Sequence, residues 1–98
     1  MITINIRYKG ANGSARAFAK EMTASGTVDA IRSEPGNIRY AYYMPLDDPE
    51  TILLIDSWAD QAAIDAHNAS AHFQRIVPQF AALTEERLPV EFFTELES

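Results

Sequence analysis

The chain has 98 residues, 47% of them hydrophobic and 22% charged, which is the balance of a single globular domain spanning 1–98. Its net charge of −6, with eight scattered Lys and Arg residues, would repel phosphate backbones, so no nucleic-acid partner is expected. The absence of cysteine excludes disulfides, thiol chemistry and zinc–thiolate sites, and no apolar run reaches membrane-spanning length.

Residues 2–8 alternate, with Ile2, Ile4, Ile6 and Tyr8 on one face and Thr3, Asn5 and Arg7 on the other, which predicts a half-buried strand. This opening carries neither a basic nor an apolar leader region, so the cytoplasm is the expected location. Residues 9–13 have turn chemistry, and Ser14 is a good N-cap for a helix from about Ala15 to Ser33. Phe18, Met22, Val28 and Ile31 are its expected inward residues. Gly26, between Ser25 and Thr27, costs a helix about 1 kcal/mol relative to alanine and predicts a bend. Glu34-Pro35-Gly36-Asn37 stops the helix, because the residue before proline leaves the α region and glycine supplies the turn.

Ile38–Met44, rich in tyrosine, and Thr51–Trp58, rich in isoleucine and leucine, are predicted strands joined by hairpin-loop residues 45–50. Asp60 caps a short helix through Ala62, Ala63, Ile64 and His67. Ser70 caps another, in which Phe73, Ile76, Val77, Phe80 and Leu83 share a face and Pro78 is expected to introduce a kink. Arg87–Leu96 closes the chain as a strand. This order predicts an α+β, ferredoxin-like βαββαβ fold, a four-stranded antiparallel sheet with helices on one face. Ala41, Tyr43, Leu53, Ile55 and Phe93 then fall on the uncovered face. A chain of this size buries only roughly 60–65% of its unfolded surface, and an apolar second face predicts a homodimer.

No hydrolase elbow, phosphate loop or dinucleotide fingerprint is present. His67 and His72 lack the carboxylate and spacing of a helical zinc motif, so no metal site is expected. His67, three residues after Ile64 and four after Ala63, faces the sheet. It is either a core histidine with one backbone hydrogen bond or a base in an apolar pocket acting near neutral pH. Trp58 reads as core or as pocket wall, with an N–H that needs a partner if buried. Tyr40, Tyr42 and Tyr43 are sheet-formers first, but a phenol can also orient a phenolic substrate. His72, in the first turn of its helix, reads as partly exposed.

The ordered set from Glu34 to Phe73 is more specific than its parts. Glu34-Pro35-Gly36 with Tyr40, Asp47-Asp48-Pro49, Trp58 with Asp60 and Ala63, and His67, Ser70, His72 and Phe73 follow one pattern. In these segments the chain resembles the antibiotic biosynthesis monooxygenase family, in particular its small quinol monooxygenase-like members. The resemblance implies a dimeric α+β barrel and oxidation of a quinol- or anthrone-type aromatic by O2 to the quinone, with no cofactor and no metal. It casts His67 as base or donor and Trp58 as the pocket wall that stabilises the substrate anion. His72, Tyr40, Tyr42 and Phe73 would bind and orient the small aromatic substrate. Haem-degrading relatives carry an iron-ligating histidine on the helix after Ser70, and 74–80 contains none. Two further readings remain: an isomerase of a small phosphorylated ketone, for which Arg7, Arg39 and Arg75 would have to converge, and a non-catalytic dimeric ligand carrier.

Overall fold

The alternation at the start of the chain builds β1 (Ile2–Lys9), the strand around which the rest is arranged. A computed structural model describes the backbone of 1–80, 84–87 and 91–92 and the side chains of 1–75. β2 (Asn37–Tyr43) and β3 (Thr51–Trp58) form the predicted hairpin, and β3 lies antiparallel to β1 with Ile2 opposite Trp58 and Tyr8 opposite Ile52. The sheet runs β2-β3-β1-β4, an α+β, ferredoxin-like order. Among the described residues it has five strands, and the predicted last strand 87–96 is described only at Arg87 and at 91–92. β4 (Thr84–Arg87) pairs with Ile6–Lys9 of β1, and β5 (Glu91–Phe92) pairs with Ile2 and Thr3. Leu83, Phe93 and Leu96 lie outside the described residues, as do the side chains of Ile76, Val77 and Phe80.

The helix expected over 15–33 is two helices, α1 (Ser14–Ala24) and α2 (Thr27–Arg32). Gly26 separates them at φ 83°, a left-handed conformation that ends one helical run before the next begins. The bend expected there is thus a complete break. Gly13, not Ser14, is the N-cap of α1; its N–H donates to the Glu50 carboxylate at 3.2 Å, while Ser14 Oγ accepts the Ala11 N–H at 2.9 Å. The later caps stand where the sequence puts them. Asp60 Oδ1 accepts the Ala63 N–H at 2.9 Å to start α3 (Gln61–Asn68). Ser70 Oγ accepts the Phe73 N–H at 3.2 Å at the start of α4 (Ala71–Phe80), which runs on through Pro78.

Burial follows strand parity. Ile4, Ile6, Tyr8, Tyr40, Leu54 and Trp58 face the helices and pack with Phe18, Met22, Val28, Ile31 and Ile64 in one core. On the other face Ala41, Leu53 and Ile55 are half-buried, Tyr43 is exposed, and the Thr3 and Ser57 hydroxyls hydrogen-bond at 2.9 Å. Among the described residues no helix is long and apolar enough to cross a membrane.

Candidate functional site

The site begins at the turn between α2 and β2. After α2 the Glu34 N–H donates to the Ile31 carbonyl at 3.0 Å, and the chain reverses through Gly36 at φ 84°. A Cβ on Gly36 would stand 2.5 Å from Ala63 Cβ, so only glycine lets the turn lie flat on α3. The Ala59 N–H donates to the Gly36 carbonyl at 2.8 Å and fixes the same approach. The turn therefore presents Glu34 to α3 and α4.

Both histidines meet that carboxylate. His67 Nδ1 lies 3.1 and 3.0 Å from the two Glu34 oxygens, and His72 Nε2 lies 2.5 Å from Oε2. With Glu34 ionised, a group that only accepts, the contacting nitrogen of each ring is the donor. In a neutral His67 the lone pair is then on Nε2, the tautomer required of a base working through that atom. The backbone partner considered for His67 is thus replaced by a side chain, and the carboxylate that meets both histidines comes from the turn after α2 rather than from a helical motif of their own.

The His67 ring is buried and stacks on Trp58 with centroids 4.7 Å apart and planes 33° from parallel. Phe73 meets it edge-on at 5.3 Å, and Tyr40 lies 6.3 Å away. The Tyr40 and Tyr42 hydroxyls hydrogen-bond at 3.3 Å. Burial is the main force holding the Tyr40 phenol well above the ordinary tyrosine range, with Tyr42's charge next. Tyr42 is pushed up to about 12, again chiefly by burial. Both hydroxyls stay protonated at neutral pH. Trp58 Nε1–H donates to Asp56 Oδ2 at 2.9 Å, which supplies the partner its burial demands.

His67, Trp58, His72, Phe73, Tyr40 and Tyr42 are therefore brought into one cluster on the helix side of the sheet. Tyr43 is not part of it: it takes a hydrogen bond from Arg39, whose guanidinium lies 5.3 Å from its ring centroid on the open face. Arg7 shares that face, and Arg75 is exposed on α4, so the three cations do not converge on the histidines. Two residues of the site escaped the sequence reading. Asp56 shares the parity of Leu54 and Trp58, an acid in an apolar row, which is a legible signal. Glu34 had only its place before Pro35. Beside it opens a cleft of about 330 Å³ lined by Pro35, Gly36, Ala59, Asp60, Ala62 and Ala63.

The family model described as "Antibiotic biosynthesis monooxygenase" matches residues 1–79. The Bacillus subtilis (strain 168) protein named "Putative monooxygenase YcnE" is 33% identical over 67 residues, covering 68% of this chain and 70% of that protein. The crystal structure of PA3566 from Pseudomonas aeruginosa superposes with a TM-score of 0.72 at 27% identity, over 89% of this chain and 90% of that one. The structure of Rv0793 from Mycobacterium tuberculosis gives a TM-score of 0.78 at 18% identity, over 99% and 98%, and shows the shared fold.

Proposed function

This chain belongs to the antibiotic biosynthesis monooxygenase family, and we propose that it is a cofactor-independent monooxygenase oxidising a quinol- or anthrone-type aromatic with O2 to the quinone. The observation that carries this reading is the Glu34–His67 pair. A buried imidazole has its Nδ1–H held by a carboxylate and its face against an indole, which is how a base is oriented and its cation stabilised.

In this reaction His67 Nε2 takes the acidic proton of the substrate, and Glu34 stabilises the imidazolium that forms. The aromatic anion passes one electron to O2, and recombination forms a carbon–oxygen bond and a peroxide. For an anthrone-type CH2 carbon, cleavage of the O–O bond leaves one oxygen on that carbon as the carbonyl. The other departs with the two hydrogens as water, so atoms and electrons balance. Tyr40 and Tyr42, protonated throughout, donate hydrogen bonds toward developing negative charge. Trp58 walls the pocket and faces the anion, Phe73 packs on the substrate ring, and His72 secures Glu34 from the far side. The half-buried Tyr42, Phe73 and His72 mark the side from which substrate approaches.

The open sheet face, with half-buried Ala41, Leu53 and Ile55 and a cleft of about 520 Å³ floored by Thr3, Asn5 and Ser57, supports a homodimer through that face. A sequence without cysteine accords with a cytoplasmic reaction.

The test is oxygen uptake by chelator-treated protein over a panel of quinols and anthrones, corrected for autoxidation, beside His67→Ala. Saturable uptake that falls at least tenfold in the variant is the expected result. Uptake indifferent to the variant removes His67 as base, and ligand binding with no uptake above the blank favours the carrier.

A further inference from the structure

We infer that Glu34, His67 and His72 also form a divalent-cation site of the two-histidine, one-carboxylate kind, and that a cation bound there switches the oxygenase reaction off. The site itself stands on geometry; the switching rests on the functional reading above.

One ligand atom from each residue lies within 4.8 Å of the other two. Zinc bound tetrahedrally at about 2.0–2.1 Å wants donor atoms about 3.3 Å apart. Glu34 Oε2 and His67 Nδ1, at 3.0 Å, are close to that separation. Glu34 Oε2 and His72 Nε2, at 2.5 Å, would open by about 0.8 Å, a small movement for a side chain in the first turn of a helix. The ligands come from the turn after α2, from α3 and from α4, and the Gly36–Ala63 approach locks the first of these to the second. Their side chains are 14%, 7% and 18% exposed, so the site is shielded from bulk water without being sealed. Two imidazoles and one carboxylate suit Zn²⁺, Co²⁺ or Fe²⁺ better than Mg²⁺ or Ca²⁺, which prefer all-oxygen shells. Three protein ligands leave a position for water.

The consequence for the reaction follows from the imidazole's two nitrogens. A cation can bind His67 Nδ1 only where the proton now sits, and in a neutral ring that proton then resides on Nε2. Nε2–H can donate but cannot accept, so the lone pair that removes the substrate proton is gone. Glu34, engaged by the metal, no longer stabilises an imidazolium. No bond in the substrate is involved, and removing the cation restores the original tautomer.

The experiment is titration of chelator-treated, full-length protein with Co²⁺ alone, followed by its visible ligand-field bands, then with Zn²⁺ by calorimetry. One ion per chain is expected, with Zn²⁺ displacing Co²⁺. Glu34→Gln and His72→Ala, each checked by thermal melting for a native fold, should each weaken binding by at least about tenfold. Absence of bands, or affinity unchanged in both folded variants, overturns the site. Oxygen uptake is measured on the same samples and should fall in proportion to Co²⁺ occupancy and return with chelator. Uptake that is indifferent to occupancy, or rises with it, overturns the switch. Because the bands report binding directly, a protein showing no uptake with any substrate would refute the oxygenase reading and the switch while leaving the site to be decided by the titration.

Discussion

Glu34 and His67 are separated by 33 positions in sequence and 3.0 Å in space, and their contact is the hinge of the chemistry proposed here. It joins the turn that ends α2 to the apolar face of α3. The carboxylate fixes which imidazole nitrogen bears the proton, and the second histidine holds the carboxylate in place.

Glu34→Gln keeps the shape of the side chain but removes its charge. The amide can accept from one histidine through its oxygen and presents a donor to the other, so one imidazole loses its partner. Oxygen uptake is expected to fall roughly 10- to 100-fold in kcat with little change in KM, because the lost interaction strengthens only as the imidazolium forms. A rise in KM at constant kcat would instead make Glu34 part of the substrate pocket.

Gly36→Ala should damage the fold and the site together. Its φ of 84° costs a residue with a side chain about 1–2 kcal/mol, and the 2.5 Å approach to Ala63 Cβ adds to this. A fall in Tm of roughly 8 °C or more is expected for a domain of this size. The double variant Gly36→Ala with Ala63→Gly should recover the steric part and leave the dihedral part, which thermal melts of the three proteins will separate.

Asp56→Ala removes the acceptor from a buried indole N–H and should destabilise by about 1–3 kcal/mol in urea unfolding. Trp58 is the only tryptophan, so its emission reads this site alone. The spectrum should shift on Asp56→Ala, and in the native protein it should respond when an aromatic ligand binds. A ligand that is oxidised without altering the emission would place the reaction elsewhere.

Alkaline pH gives a prediction of definite sign. Tyr40 and Tyr42 hold their protons more tightly in the folded protein than in the unfolded chain, whose phenols titrate near about 10. The unfolded state therefore sheds protons first. Stability should be complete below pH of about 10 and fall as pH rises toward about 12. Urea unfolding at a series of pH values should show this decline, and Tyr40→Phe with Tyr42→Phe should flatten it.

Much of the frame was readable from local pattern. Strand parity placed Ile4, Ile6 and Tyr8 inward, and Asp60 and Ser70 capped the helices expected of them, because each signal acts over a few residues. The split at Gly26 was underestimated, since helical periodicity on both sides masks a left-handed residue between them. The start of the last strand, at Thr84 rather than Arg87, is set by pairing with β1, a distant partner. Glu34 shows the same limit: nothing near it announces two histidines on later helices. Asp56 is different: its parity with Leu54 and Trp58 is visible within the strand itself.

Ser70 ties the end of α3 to the start of α4. Its hydroxyl donates to the His67 carbonyl at 2.7 Å, while its Oγ accepts the Phe73 N–H in the first turn of the next helix. Glu34 is consequently held from two helices: His67 on α3 is packed against Trp58, whereas His72 stands in the first turn of α4, next to Phe73. The carboxylate closes through space the joint that Ser70 closes along the chain, so α3, α4 and the turn after α2 form one ring of contacts. A molecule seated on Phe73 would rest one residue away from that ring.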